Sequence, residues 1–172
     1  ASIYILIEGS ECAIIETGTC HSIPYILKAL AEFKLNADSV RYVIPTHVHL
    51  DHAGGVGLLM ASCPNAELII HPFGARHMID PTKLAAGAKS VYGDAAFERL
   101  YGELIPVEAH RVIEAPDNFE LMLGLRKLRF YDTPGHARHH FCIHDVKSDT
   151  IFSGDTFGVA YPQVAVGNTP LI

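Results

Sequence analysis

Apolar side chains recur along this chain with two different periods, and the two alternate. Short runs of alternating or continuous apolar residues at 3–7, 12–16, 40–44 and 67–70 predict strands. The first two meet around Gly9-Ser10, which predicts an antiparallel hairpin. Between these runs the spacing becomes helical. Ile26, Leu27, Leu30 and Phe33 recur on one face through Leu35, with Ser22 as N-cap and Pro24 in the first turn. Residues 54–62, 72–79 and 82–101 read as further helices, the last interrupted near 90–93. The stretch 111–152 is strand-rich, with turns at Pro116-Asp117, Gly124 and Ser148-Asp149. Strands interleaved with helices predict an α/β sandwich whose active residues sit on loops at one sheet edge.

Composition narrows the class. With 172 residues, 49% of them hydrophobic, the chain can bury the core of one domain, residues 1–172. It has no apolar run long enough for a membrane helix. The net charge is −6 and the basic residues are scattered, which argues against a nucleic-acid phosphate track. Cys12, Cys20, Cys63 and Cys142 form no Cys-x-x-Cys pair, so free thiols in a cytoplasmic protein are expected rather than a disulfide framework.

Candidate chemistry concentrates in Thr46-His47-Val48-His49-Leu50-Asp51-His52-Ala53-Gly54-Gly55, directly after the strand at 40–44. His47, His49 and Asp51 lie two apart, so an extended strand end would project them to one side. His52 would point elsewhere and serve a neighbouring centre. Burying such a set without a partner costs several kcal/mol. A metal removes that cost, and zinc favours a mixed imidazole and carboxylate set. The helix expected at 54–62 would aim its N-terminus at this loop, where its dipole favours an anion. Two later segments repeat the design. Thr133-Pro134-Gly135-His136 follows one apolar strand and Ser153-Gly154-Asp155-Thr156 follows another. Each places a metal-capable side chain beside a glycine just past a strand end. The carboxylate of Asp155 is able to bridge two cations.

With these residues the chain resembles the metallo-β-lactamase-fold hydrolases. The resemblance rests on His47-x-His49-x-Asp51-His52, Pro134-Gly135-His136 and Ser153-Gly154-Asp155. Cys12 to Gly18 looks like the family's early strand and turn, although aspartate is commoner there than Glu16. The resemblance implies an αββα sandwich, incomplete at both ends. It also implies one metal site from His47, His49 and His136, a second from Asp51 and His52, and Asp155 shared between them. The family commonly completes the second site with a later histidine, whereas here no histidine follows His144. The expectation is a portion of a longer chain, lacking a short N-terminal strand and a longer C-terminal part, with the tail at 168–172 closing no element. A single-metal variant is the alternative.

Other residues carry weaker signals. His21, His71, His77, His110 and His144 lack a motif and are expected to be surface or hydrogen-bonded histidines. His139 and His140 divide evenly between plain structure and a role near the site: supporting a ligand, touching the substrate or replacing the missing ligand. Thr46 and Thr156 are expected in turns or in hydrogen bonds behind the ligands. The helical stretch 72–101 is expected to pack on the sheet or on the partner subunit of a homodimer. Its sharper alternative is a lid over the metals, with Tyr92 or Tyr101 orienting a substrate oxygen.

The expected activity is metal-dependent hydrolysis of a small ester, thioester or lactam-like molecule by a metal-bound hydroxide. The expected cofactors are two divalent ions, zinc first, with iron or manganese as alternatives. Asp51 is either a ligand or the general base that orients the nucleophile. The rivals are an iron oxidoreductase resembling sulfur dioxygenases, a phosphodiesterase disfavoured by the net acidity, and a degenerate binding domain.

Overall fold

The computed structural model describes residues 1–157; the tail at 168–172 lies outside them. Strands β1 (Tyr4–Glu8) and β2 (Glu11–Ile15) form the expected hairpin, and the helix α1 (Ile23–Glu32) follows with Pro24 in its first turn. This helix stops short of the predicted Leu35. Lys34 turns left-handed at φ 60°, and a helix cannot continue through that conformation. Next come β3 (Val40–Ile44), α2 (Leu50–Ala53), α3 (Val56–Ser62) and β4 (Glu67–Ile70). Helices α4 (Pro72–Ile79), α5 (Thr82–Tyr92) and α6 (Asp94–Tyr101) fill the long crossover. The predicted interruption falls at Gly93, where φ is 78°. The strand-rich half gives β5 (Val112–Glu114), β6 (Glu120–Leu123), β7 (Arg126–Asp132), β8 (Phe141–Asp145) and β9 (Thr150–Phe152).

The strands form two sheets. The first runs β1-β2-β3-β4-β5, antiparallel in the hairpin and parallel from β2 onward; the second is the antiparallel meander β6-β7-β8-β9. Strand alternation divides the first sheet between two cores. Cys12, Ile14, Leu68 and Ile70 face Ile26, Leu30, Leu59 and Met60 on the helices. Ala13, Ile15 and Ile69 face Leu128, Phe130, Phe141 and Ile143 of the second sheet. Successive side chains must point to opposite faces, so buried helices on one face and a sheet on the other make these strands almost wholly apolar. The result is the mixed two-sheet α/β sandwich expected from the pattern.

One local expectation is corrected. The metal-loop motif is not extended through Asp51. Strand β3 ends at Ile44, residues 45–49 form a loop, and residues 50–53 wind into α2 with His49 as its N-cap. A hydrogen bond from His52 N–H to the His49 carbonyl closes that turn at 2.9 Å. Asp51 and His52 are therefore on a helix, where neighbours diverge by about 100° rather than alternating. The helix predicted to start at residue 54 begins at Val56 for the same reason: the chain has already turned once.

Candidate metal centre

His47 is fixed by its hydrogen bonds before any metal is considered. The Glu16 carboxylate, buried at the end of β2, accepts the backbone N–H of Thr46 at 3.3 Å and also its hydroxyl proton. With its proton committed to Glu16, Thr46 Oγ1 can only accept from His47 Nδ1, 3.0 Å away. His47 thus carries its proton on Nδ1 and presents a bare lone pair at Nε2. That Nε2 is buried and has no hydrogen-bond partner among the described residues. An unmet buried acceptor costs about 1–3 kcal/mol.

The orphaned nitrogen faces other donors. His47, His49 and His136 each offer a ring nitrogen, all within 4.8 Å of one another, and so do His47 and His52 with a carboxylate oxygen of Asp155. His49 Nδ1 and His136 Nε2 stand 2.9 Å apart. Asp155 lies across the two groups: Oδ1 is 3.2 Å from His52 Nε2, and Oδ2 is 3.5 Å from His136 Nε2. The described residues therefore fit a cation on the chemistry of the donor set, three imidazoles and a carboxylate around an unsatisfied nitrogen. Asp51 is placed differently from the other motif residues. Its Oδ2 is 3.3 Å from His52 Nε2, but its side chain is 59% exposed and stands outside both clusters.

Charge follows position. Burial, then the neighbouring imidazoles of His52 and His49, hold the His47 pKa far below the ordinary histidine value of about 6.5. His49 is lowered by burial and by His136. Both are neutral at physiological pH, the form that binds metals. Burial also opposes charge on His52, but the carboxylates of Asp51 and Glu16 beside its ring outweigh it and push its pKa up to about 10. Glu16 Oε1 approaches His52 Nδ1 to 3.1 Å, off the hydrogen-bonding direction. The bond from His52 holds the Asp51 carboxyl well below the usual carboxylate range. The carboxylates that hold a proton on His52 would equally attract a divalent cation, which competes with that proton.

The support behind these side chains is partly legible in sequence. His140 is fully buried. Its Nε2 accepts the Asp155 backbone N–H at 3.2 Å, so its Nδ1 carries the proton and donates to Thr133 Oγ1 at 2.8 Å. It fixes the Asp155 backbone instead of joining the clusters. Gly154 makes that approach feasible: at φ +50° its missing Cβ would lie 2.5 Å from Thr46 Oγ1 and 2.6 Å from His140 Nε2. His139 Nδ1 accepts the Val48 N–H at 3.3 Å. Thr156 Oγ1 sits 3.2 Å from His140 Nδ1, as a turn residue behind the site. His71 caps α4 through Phe73 N–H and meets Asp132 at 3.1 Å. The sequence reading missed the part played by Glu16. An acid directly after Cys12-Ala13-Ile14-Ile15, in a strand buried on both faces, was the available signal. It also passed over His77, which lines a cavity with His49, Asp51, Tyr92 and Tyr101.

Comparison with known proteins identifies the family of the chain. The family model described as the metallo-beta-lactamase superfamily matches residues 1–166. The metallo-beta-lactamase fold-containing protein ST1585 of Sulfurisphaera tokodaii is 29% identical over 99% of this chain and 62% of its own length. Its crystal structure superposes with a TM-score of 0.73 at 28% identity, over 93% of this chain and 59% of that one. A hydroxyacylglutathione hydrolase of Polaromonas is 30% identical over 75% of this chain and 38% of its own length. The acyl-coenzyme A thioesterase MBLAC2 of Gallus gallus is 27% identical over 65% of this chain and 40% of its own. The chain thus spans about two fifths to three fifths of these relatives.

Proposed function

This chain belongs to the metallo-beta-lactamase superfamily, and from that membership we propose that it is a metal-dependent hydrolase of a small ester, thioester or lactam-like molecule. The observation that carries the reading is the bare, buried Nε2 of His47 among the donors of His49, His136, His52 and Asp155. A superfamily that typically holds divalent metals gives that nitrogen its partner. The thioester emphasis comes from two relatives whose names state hydroxyacylglutathione hydrolysis and acyl-coenzyme A thioester hydrolysis.

In this reading His47, His49 and His136 would hold one cation, His52 and Asp51 would serve a second, and Asp155 would be available to both. A cation in this position supplies a lowered water pKa, towards about 7, and polarises a carbonyl oxygen. The chain's own residues do the rest. Asp51 is held ionised by His52 and is exposed to the cavity beside His49, so it is the group able to take the proton of the attacking water and return it to the leaving group. For a thioester, the acyl C–S bond breaks, a C–O bond to water forms, and the thiol leaves with a proton. Tyr92 and Tyr101, with ring centroids 5.7 Å apart, wall the same cavity.

The test is elemental analysis of protein purified without added metal, followed by a thioester and lactone panel. Zinc or manganese near two per chain, with turnover abolished in His47→Ala, is the expected result. Iron near one per chain without hydrolysis would overturn it in favour of oxidative chemistry on the same fold.

A further inference from the structure

Two cavities flank His49, and they differ in chemistry. One, of about 440 Å³, is walled by Leu50, Leu84, Ala88, Tyr92 and Tyr101 and is mainly apolar. The other, of about 650 Å³, lies between α4 and the loop carrying His136, and is lined by Phe73, Arg76, His77, His136, Arg138 and His139. Among the described residues no aspartate or glutamate lines this second cavity, in a chain whose net charge is −6. Several cations on the second sheet are paired with acids: Arg126 with Glu8 and Asp145, Arg129 and Lys127 with Glu120, and Lys147 with Glu8. Arg76 and Arg138 are exposed and have no carboxylate within 4.0 Å among the described residues. Arg76 Nε donates to His77 Nε2 at 3.3 Å, which anchors the side chain and leaves its terminal nitrogens free. Arg138 stands two residues beyond His136, so the backbone that places a candidate ligand also places this guanidinium.

Two arginines that line one cavity without acids among the described residues make a site for an anion, since each guanidinium can bind a carboxylate or phosphate through paired N–H donors. His49 and His77 line both cavities. A molecule reacting at His49 is therefore able to extend one arm into each. We propose that the cavity of Arg76 and Arg138 is an anion subsite, and that the substrate is an ester or thioester with a carboxylate or phosphate on one arm and an apolar group on the other. The proposal rests on the hydrolase reading for its substrate class, while the anion subsite stands on the two arginines alone.

The test uses matched thioesters and the metal-loaded protein. S-benzoyl 3-mercaptopropionate and S-benzoyl 2-mercaptoethyl phosphate place a carboxylate or a phosphate on the thiol arm. The S-phenyl monothioester of succinate places the carboxylate on the acyl arm, and S-benzoyl 3-mercaptopropionamide is the neutral control. At least one anionic ester is expected to show a KM tenfold or more below the amide. That ratio should fall towards one in Arg76→Gln and in Arg138→Gln. The preferred ester distinguishes a carboxylate from a phosphate source. Equal KM values, or a ratio indifferent to both substitutions, overturn the subsite. A second readout is independent of turnover: backbone amide shifts of residues 73–77 and 137–139 as inorganic phosphate and propionate are titrated into chelator-treated protein. Shifts present in the wild type and lost in the double Gln variant keep the subsite even if no ester is hydrolysed, and the hydrolase reading then falls by itself. Absence of shifts together with equal KM values removes the subsite and leaves the hydrolase reading standing.

Discussion

Thr46 Oγ1 lies 3.0 Å from His47 Nδ1 while giving its own proton to Glu16, so a hydroxyl decides which nitrogen of the histidine is free. A residue that is not itself a candidate ligand thereby governs the lone pair on which the site depends.

Thr46→Val is expected to keep the shape and remove that acceptor. Groups that orient metal-binding histidines typically contribute about 10–100-fold in metal affinity, and a loss of that order should appear in competition with a chromophoric chelator. Thr46→Ser should restore it. Unchanged affinity in the valine variant would show that His47 is oriented by packing alone.

Asp155 links the two donor clusters through His52 and His136. Asp155→Ala is expected to lower metal content below that of the wild type, whereas His140→Ala should retain the clusters and weaken binding by loosening the Asp155 backbone. Metal content by elemental analysis after identical purification separates the two. Equal, full loading in Asp155→Ala would remove its assignment as a shared ligand.

Two glycines predict opposite signs. At Gly154, with φ +50°, a Cβ would strike Thr46 and His140, so Gly154→Ala should destabilise by about 1–3 kcal/mol and lower metal binding with it. At Gly87, inside α5, nothing lies within 4 Å of the added Cβ, so Gly87→Ala should stabilise by about 0.5–1 kcal/mol. Thermal unfolding of both variants checks the pair.

The metal-free chain should be most stable near the ordinary histidine pKa of about 6.5. Burial, chiefly, lowers His139 and His140 to about 4. Between 6.5 and 4 the unfolded chain binds protons there that the folded chain refuses, and stability falls as pH falls. His52 is raised to about 10 by its carboxylates. Its contribution is complete below about 6.5 and is lost as pH rises through 10. Melting temperatures of chelator-treated protein from pH 4 to 10 should show both limbs. His52→Gln should flatten the alkaline one, and a wild-type curve flat on that side would contradict the charge assigned to His52.

Much of this was open to reading in the chain itself. The apolar runs at 12–16, 40–44 and 67–70 identified the buried strands, because a strand covered on both faces has no polar side to show. The break near residue 93 was visible as a glycine in a helical pattern. His47, His49 and His52 could be singled out by their spacing in one motif after a strand, and His136 and Asp155 because each stands just past a strand end beside a glycine. The helical turn through Asp51 was less visible. A four-residue helix is shorter than its own sequence periodicity, so the two-residue spacing of the motif looked like a strand.

What the sequence by itself determined is which elements form and which residue types are able to hold a metal, since both depend on local pattern and on the chemistry of single side chains. Tertiary structure alone decided which of eleven histidines converge, and in which tautomer. It brought Glu16 behind Thr46, separated by thirty positions, and His136 to His49, separated by eighty-seven. It also set Arg76 and Arg138 on the walls of one cavity. Sequence spacing carries no record of such approaches. They are fixed by two sheets packing face to face, which brings loops distant in the chain to a common edge.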